Sequence, residues 1–128
     1  MQTLVTHGIK ICVESTYQDL YSRPEQGHYY FSYRIRIENN SSATVQLMRR
    51  HWYIFDSCGE HSEVEGEGVV GQQPVLRPGE SYEYESACHL TTEIGSMHGT
   101  YEFVHVDDKR SFEVIIPRFL LIAGHRLN

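Results

Sequence analysis

In residues 28–38, apolar and polar side chains alternate. Phe31, Tyr33, Ile35 and Ile37 fall on one side, and Ser32, Arg34, Arg36 and Glu38 on the other. Successive strand residues point to opposite faces, so a period of two over this length is a β-strand with one dry and one wet face. Such a strand must lay its apolar face on a second layer, which in a short chain means another sheet or a helix. No stretch of the sequence has a helical period.

The other segments repeat the pattern. Ile9, Ile11 and Val13 alternate within residues 8–15, and residues 17–27, holding Arg23-Pro24-Glu25-Gln26-Gly27, read as a loop. Asn39-Asn40-Ser41-Ser42 ends the first strand described, because these side chains bond their own backbone in turns. Residues 45–55 form a further strand, and Asp56-Ser57-Cys58-Gly59 has aspartate first and glycine fourth, a type I turn leading into residues 61–65. Residues 81–90 set Tyr82, Tyr84, Ser86 and Cys88 against Glu83, Glu85, Ala87 and His89. Residues 97–106 and a last strand through Phe112, Val114 and Ile116, stopped at Pro117, complete the set. The expectation is one domain over residues 1–128: an all-β antiparallel sandwich of fibronectin III or immunoglobulin-like type, with about seven strands and no substantial helix. Trp52 is the expected core tryptophan, and the cysteine spacing of a disulfide-bonded immunoglobulin domain is absent, which favours the fibronectin III style.

Composition narrows the function. A chain of 128 residues buries about two thirds of its unfolded surface. A formal charge of −6, with scattered basic residues, argues against nucleic acid as the main partner; Arg49-Arg50-His51 is the one local basic run singled out. Eighteen successive apolar residues occur nowhere, so no membrane partner is expected, and no secretory leader is visible. Cys12, Cys58 and Cys88 are odd in number and widely spaced, which reads as reduced thiols in a cytoplasmic protein.

Gly66-x-Gly68-x-x-Gly71 has the spacing of a dinucleotide fingerprint. That fingerprint needs a helix after its last glycine, with phosphate on the helix N-terminus. Pro74 and Pro78 fall where the helix would run, so the segment reads as a bent β connection. The functional alternative is a loop of amides holding pyrophosphate or a nucleotide at Gly66, Gly68 and Gly71, or a divalent metal there; Glu65 and Glu67 oppose an anion. Cys88 and His89 are adjacent on a strand and point to opposite faces, so they do not form a nucleophile–base pair. None of the eight histidines is paired as His-x-His or at i, i+4 on a helix. His105-Val106-Asp107 offers two ligands on one strand face and His89 and His98 flank a loop, but isolated sandwich histidines read first as surface or hydrogen-bonded groups. Glu60, Glu63, Glu65 and Glu67 read as a solvated face whose carboxylates nothing in the sequence completes into a shell. No catalytic, cofactor or metal residues are assigned. Tyr29, Tyr30, Tyr53 and Phe119 are expected to form an outward aromatic interaction surface, with the apolar run Phe119-Leu120-Leu121-Ile122 packing or pairing beyond the last strand.

One set of motifs runs through nearly the whole chain: Arg49-Arg50-His51-Trp52, Gly66-x-Gly68-Val69-Val70-Gly71-x-Gln73-Pro74, Leu76-x-Pro78-Gly79-Glu80, Gly95-x-Met97-x-Gly99-x-Tyr101 and Ile116-Pro117-x-Phe119-x-Leu121. In this the sequence resembles the ApaG family, departing from it at Glu85-Ser86-Ala87 and at Glu93. The resemblance implies a fibronectin III-like sandwich, without an established catalytic set. It also implies a link to cobalt and magnesium efflux and resistance, and use as an interaction domain within larger adaptor proteins. The function expected is a non-enzymatic protein-binding module with a protein partner, a weak homodimer being a further expectation.

Overall fold

The computed structural model describes residues 1–123. Nine strands are present: β1 (Gln2–Thr6), β2 (Ile9–Tyr17), β3 (Tyr29–Asn39), β4 (Val45–Asp56), β5 (His61–Glu67), β6 (Val75–Leu76), β7 (Ser81–Leu90), β8 (Ile94–His105) and β9 (Ser111–Ile122). One sheet has the order β1-β2-β3-β7; the other has β5-β4-β8-β9, with β6 also on β4. All pairs are antiparallel, and the two sheets form a fibronectin III-like sandwich. The only helical element described is the 3-10 turn Pro24–Gln26, and no helix is long and apolar enough to cross a membrane.

Two strands exceed the expected count. β1 pairs with β2 through His7 (φ 51°) and Gly8 (φ 80°), a two-residue turn with both central residues left-handed. β6 is two residues long, too short for any period to reveal. The last strand also runs through Pro117 instead of stopping there. Met97 pairs with Phe119 and Gly99 with Ile116, so Pro117 and Arg118 together face His98 alone. This bulge accommodates a residue that has no N–H to give the ladder.

The core is aromatic at its centre. Trp52 meets Tyr33 at 5.4 Å and Phe119 at 5.9 Å between ring centres, with Tyr101 at 6.5 Å. The edge-to-face contacts are of the kind worth about 0.5–1.5 kcal/mol each beyond burial. Isoleucines 9, 11, 35 and 37 fill the β2–β3 side and are fully buried. The hydroxyls of Tyr84 and Tyr101 bond one another inside the sandwich, and burial raises the pKa of both. Asn39 is buried with its amide fully used: Nδ2 donates to Ala43 O (2.8 Å) and Leu76 O (2.9 Å), and Oδ1 accepts from Ser41 N (3.0 Å). That satisfies the group and pins β3 to β6.

A second bulge shapes β4. Leu47 pairs with Phe103 and Arg49 with Glu102, so Met48 is an extra residue. Beyond it the inward positions are Arg50, Trp52 and Ile54, and the outward ones Arg49, His51 and Tyr53. The freed Met48 carbonyl accepts from Gly68 N (2.8 Å) and Gln73 Nε2 (3.0 Å). Arg50 Nη1 donates to the carbonyls of Glu67 and Gly68, both at 3.0 Å. Val69 and Gln72 close a two-residue turn by bonds in both directions, 2.8 and 2.9 Å, around Val70 (φ 47°) and Gly71 (φ 76°). The expected bent β connection is what residues 66–75 form.

At the far end of β4, Asp56 is 6% exposed. Its Oδ2 accepts from Thr91 N and Thr91 Oγ1, both 2.7 Å, and its Oδ1 accepts from Thr92 Oγ1. Burial pushes its pKa up, but the Thr92 and Thr91 donors outweigh this and hold the carboxyl below its ordinary value.

Two predictions follow from these contacts. A Cβ on Gly68 would lie 2.2 Å from Gln72 O at a φ of +65°, whereas one on Gly71 (φ +76°) meets nothing within 4 Å. Gly68→Val should therefore cost about 3 kcal/mol or more, and Gly71→Ala only about 1 kcal/mol of backbone strain. Equal losses in urea unfolding would contradict this account of the turn. Asp56→Asn should cost about 1–3 kcal/mol at neutral pH. Because the folded carboxyl titrates below its unfolded value, its contribution is complete above the unfolded pKa and is lost as pH falls through the folded one. Urea unfolding of both proteins across pH should show the gap narrowing only in acid; a gap of constant size would refute the role given to Asp56.

Candidate functional site

The four aromatic residues expected on one surface separate into two pairs. Tyr29 is 8% exposed and Phe119 4% exposed, so neither belongs to a surface. Tyr29 shares the inward parity of Phe31 and Tyr33 and lies against Tyr17, 6.5 Å between ring centres. Phe119 is turned onto Trp52 by the Pro117 bulge. Tyr30 and Tyr53, 37% and 38% exposed, do face outward, but on opposite sheets.

Around Tyr30 the surface is concave. A cavity of about 650 Å³ is lined by residues that include Gln18, Tyr21, Tyr30, Ser32, Glu85 and Ala87. Its wall is the loop after β2, which lacks a period but is tied down by its own polar groups. Gln18 Nε2 donates to Ser32 Oγ (2.8 Å), Ser22 Oγ donates to Gln18 O (2.7 Å), and Tyr30 N donates to Ser22 Oγ (3.0 Å). This loop presents Tyr21 at 70% and Leu20 at 85% exposure, two residues that period-based reasoning passes over. At the end of the cavity wall, the His89 ring lies 4.7 Å from Tyr30 and 5.1 Å from His28, whose Nδ1 is 3.0 Å from His89 Nε2.

Along the cavity runs β7, the last strand of its sheet, paired only with β3 among the described residues and without a register shift. Its outer face carries Glu83 and Glu85, which meet Arg36 at 3.0 Å and Arg34 at 3.6 Å. These pairs are exposed, so each contributes little to stability. On the opposite edge side, β9 is bonded across the sandwich to β1 and β2, Ile115 N donating to Thr6 Oγ1 of β1 (3.2 Å) and Ser15 Oγ of β2 donating to Leu120 O (3.0 Å).

The outer face of the second sheet is a ladder of rungs. Arg49 stands opposite Glu67 and Glu102, His51 opposite Glu65 and Thr100, and Tyr53 opposite Glu63 and His98. The His51 ring stacks on Tyr53 at 4.4 Å and 20°, and Tyr53 on His98 at 5.1 Å and 16°. His51 Nε2 lies 2.9 Å from a Glu63 oxygen and 3.7 Å from a Glu65 oxygen.

The glycine loop and the Cys88–His89 pair take these geometries. In the glycine loop the amides of Gly68, Val69 and Gln72 are bonded to protein carbonyls, and the Glu67 and Gly68 carbonyls face Arg50. What the loop offers is therefore a self-paired turn, with no helix following it. Cys88 is buried on the core side of β7 while His89 is exposed on the other. Burial, helped by the Asp56 carboxylate, pushes the Cys88 thiol up to about 11, so it is a neutral packing group at neutral pH.

The comparisons with known proteins agree with this geometry. Residues 19–105 match the family model described as the ApaG domain. "Protein ApaG" of Anaeromyxobacter dehalogenans is 48% identical over 128 residues, all of both chains. "Protein ApaG" of Brucella canis is 50% identical over 121 residues, covering 94% of this chain and 92% of that one. A crystal structure of an ApaA protein from Bordetella pertussis superposes with a TM-score of 0.87 at 45% identity, covering 91% of this chain and 94% of the other. With full-length relatives at this identity and a shared sandwich, the chain belongs to the ApaG domain family.

Proposed function

We propose that this protein is a non-enzymatic recognition module that takes an extended segment of a partner protein along the β7 edge, with partner side chains seated against Tyr30 and Tyr21. The observation that carries the reading is the unblunted edge itself. Sandwich proteins protect free edges with lysine, proline, bulges or very short strands. β7 is ten residues long, contains no lysine or proline, and keeps one register throughout. β5, one edge of the other sheet, is more heavily charged, with Glu63, Glu65 and Glu67 in alternation, whereas the two glutamates of β7 are answered by Arg34 and Arg36. An added strand gains main-chain hydrogen bonds from β7, and the neighbouring cavity supplies side-chain selectivity.

The glutamates of β7, whose exposed pairs with Arg36 and Arg34 a partner can share, favour a segment with basic residues at alternate positions matched to Glu83 and Glu85. The same charges oppose self-association through this edge, since two copies would bring like charges together. On this reading, the family's link to cobalt and magnesium efflux runs through a partner bound in the cytoplasm.

Photo-crosslinking from position 21 in native extract, followed by amide exchange on the isolated complex, tests the proposal. Protection of β7 amides is expected on binding, with saturable capture that falls roughly tenfold in Tyr30→Ala and is unchanged in Tyr53→Ala. Protection confined to β5 or β9, or capture indifferent to Tyr30, would overturn the assignment. Concentration-dependent protection of β7 in the purified protein alone would replace the partner by a second copy.

A further inference from the structure

We propose that His51, Glu63 and Glu65 bind a divalent transition-metal ion of the zinc class on the outer face of the β4–β5 ribbon. The three donors are gathered by register. His51 lies directly opposite Glu65, and Glu63 is the next residue on the same face of β5. Their ligand atoms all lie within 4.8 Å of one another. A tetrahedral ion with bonds of about 2.0–2.1 Å holds neighbouring donors roughly 3.3 Å apart. The two separations from His51 Nε2, 2.9 and 3.7 Å, bracket that value, and rotation of the two exposed glutamate side chains sets their oxygens, now within 4.8 Å of one another, to the same spacing.

The nitrogen donor is the best fixed of the three. Tyr53 stacks on the imidazole plane at 4.4 Å, and His98 backs Tyr53, so the ring is presented edge-on to the carboxylates. The charge balance also fits a cation. Glu67 and Glu102 share a rung with Arg49, whereas Glu63 and Glu65 have only His51 as an ion-pair partner among the described residues. One imidazole with two carboxylates suits zinc-like ions. It does not suit calcium, which wants six to eight oxygens, or magnesium, which strongly prefers an all-oxygen octahedron. Both glutamates are more than half exposed, so solvent completes the shell and the site is open on one side.

Calorimetric titration of the full chain with zinc chloride should show one site per chain and a zinc-dependent rise in melting temperature. His51→Gln, and separately the pair Glu63→Gln with Glu65→Gln, should each weaken binding roughly tenfold or more, while their metal-free melting temperatures stay close to that of the parent. His89→Ala and Cys58→Ser, which remove the other exposed imidazole pair and an exposed thiol, should leave the isotherm unchanged. An excess of magnesium should fail to displace zinc. Absence of a stoichiometric isotherm, zinc affinity insensitive to His51, loss of binding only in the His89 or Cys58 variants, or displacement by magnesium would each overturn the assignment.

Discussion

One extra residue in β4, Met48, organises much of what this sandwich presents to its surroundings. A strand that kept strict alternation from Val45 would put His51 and Tyr53 in the core and Trp52 in water. The bulge inserts one position and reverses the parity, so Trp52 becomes the core's central ring and His51 and Tyr53 reach the outer face. It also frees the Met48 carbonyl from the ladder, and the Gly68 amide takes it up at 2.8 Å. A register fault, the core's largest side chain, an outward donor row and the anchoring of residues 66–75 are thus consequences of one backbone event.

The glycine spacing is explained by three separate demands, none of which is a phosphate. Gly66 stands opposite Arg50, and a Cβ there would come within 2.9 Å of the guanidinium nitrogens. Gly68 must take a left-handed backbone beneath the Gln72 carbonyl, and Gly71 takes the second left-handed position of the Val69–Gln72 turn. Arg50 acts as a cation clamped on carbonyls, its charge answered by the carbonyl oxygens of Glu67 and Gly68 rather than by a carboxylate. A dinucleotide loop needs its amides directed outward at an anion. Here those of Gly68, Val69 and Gln72 are spent inward on the protein's own backbone, which is how the same letters arise from a different chemistry.

The sequence makes the fold legible because period-two alternation reports one-sided burial directly: β7 has the bounds and faces that its pattern implies, and β3 has the faces with bounds shifted by one residue. It is a poorer guide wherever a bulge breaks the count. Pro117 reads as a stop, yet the ladder accommodates it by setting two residues against His98. Tyr29 is grouped in the sequence reading with the outward aromatics, whereas its parity with Phe31 puts it inside. Phe119 lies beyond the Pro117 bulge, so alternation from Phe112 does not carry to it. The trio of His51, Glu63 and Glu65 does leave a trace in sequence. The turn after Asp56 sets Phe55 against His61, and that register carries His51 to Glu65. Reading it requires knowing that the Met48 bulge lies before His51 and leaves the pairing beyond it intact.

A scaffold of this kind lends itself to recognition more readily than to covalent chemistry. Catalysis by a side-chain nucleophile needs nucleophile, base and charge-stabilising donors to converge on one volume. In a sandwich, neighbouring strand residues diverge to opposite faces, as Cys88 and His89 do, and the reactive member ends up packed and neutral. What the architecture does supply is rows: an edge of regularly spaced main-chain groups along β7, and an outer face on which side chains two residues apart stand together, as Glu63 and Glu65 do. Both arise from strand register, so the backbone that carries each row is set before anything binds, and the ordering cost that remains is that of the side chains. Asp56 strengthens that rigidity where it matters. Held by Thr91 and Thr92, it fastens the end of β4 to the turn that follows β7, so the ribbon bearing the donor trio and the edge bearing the cavity share one buried anchor.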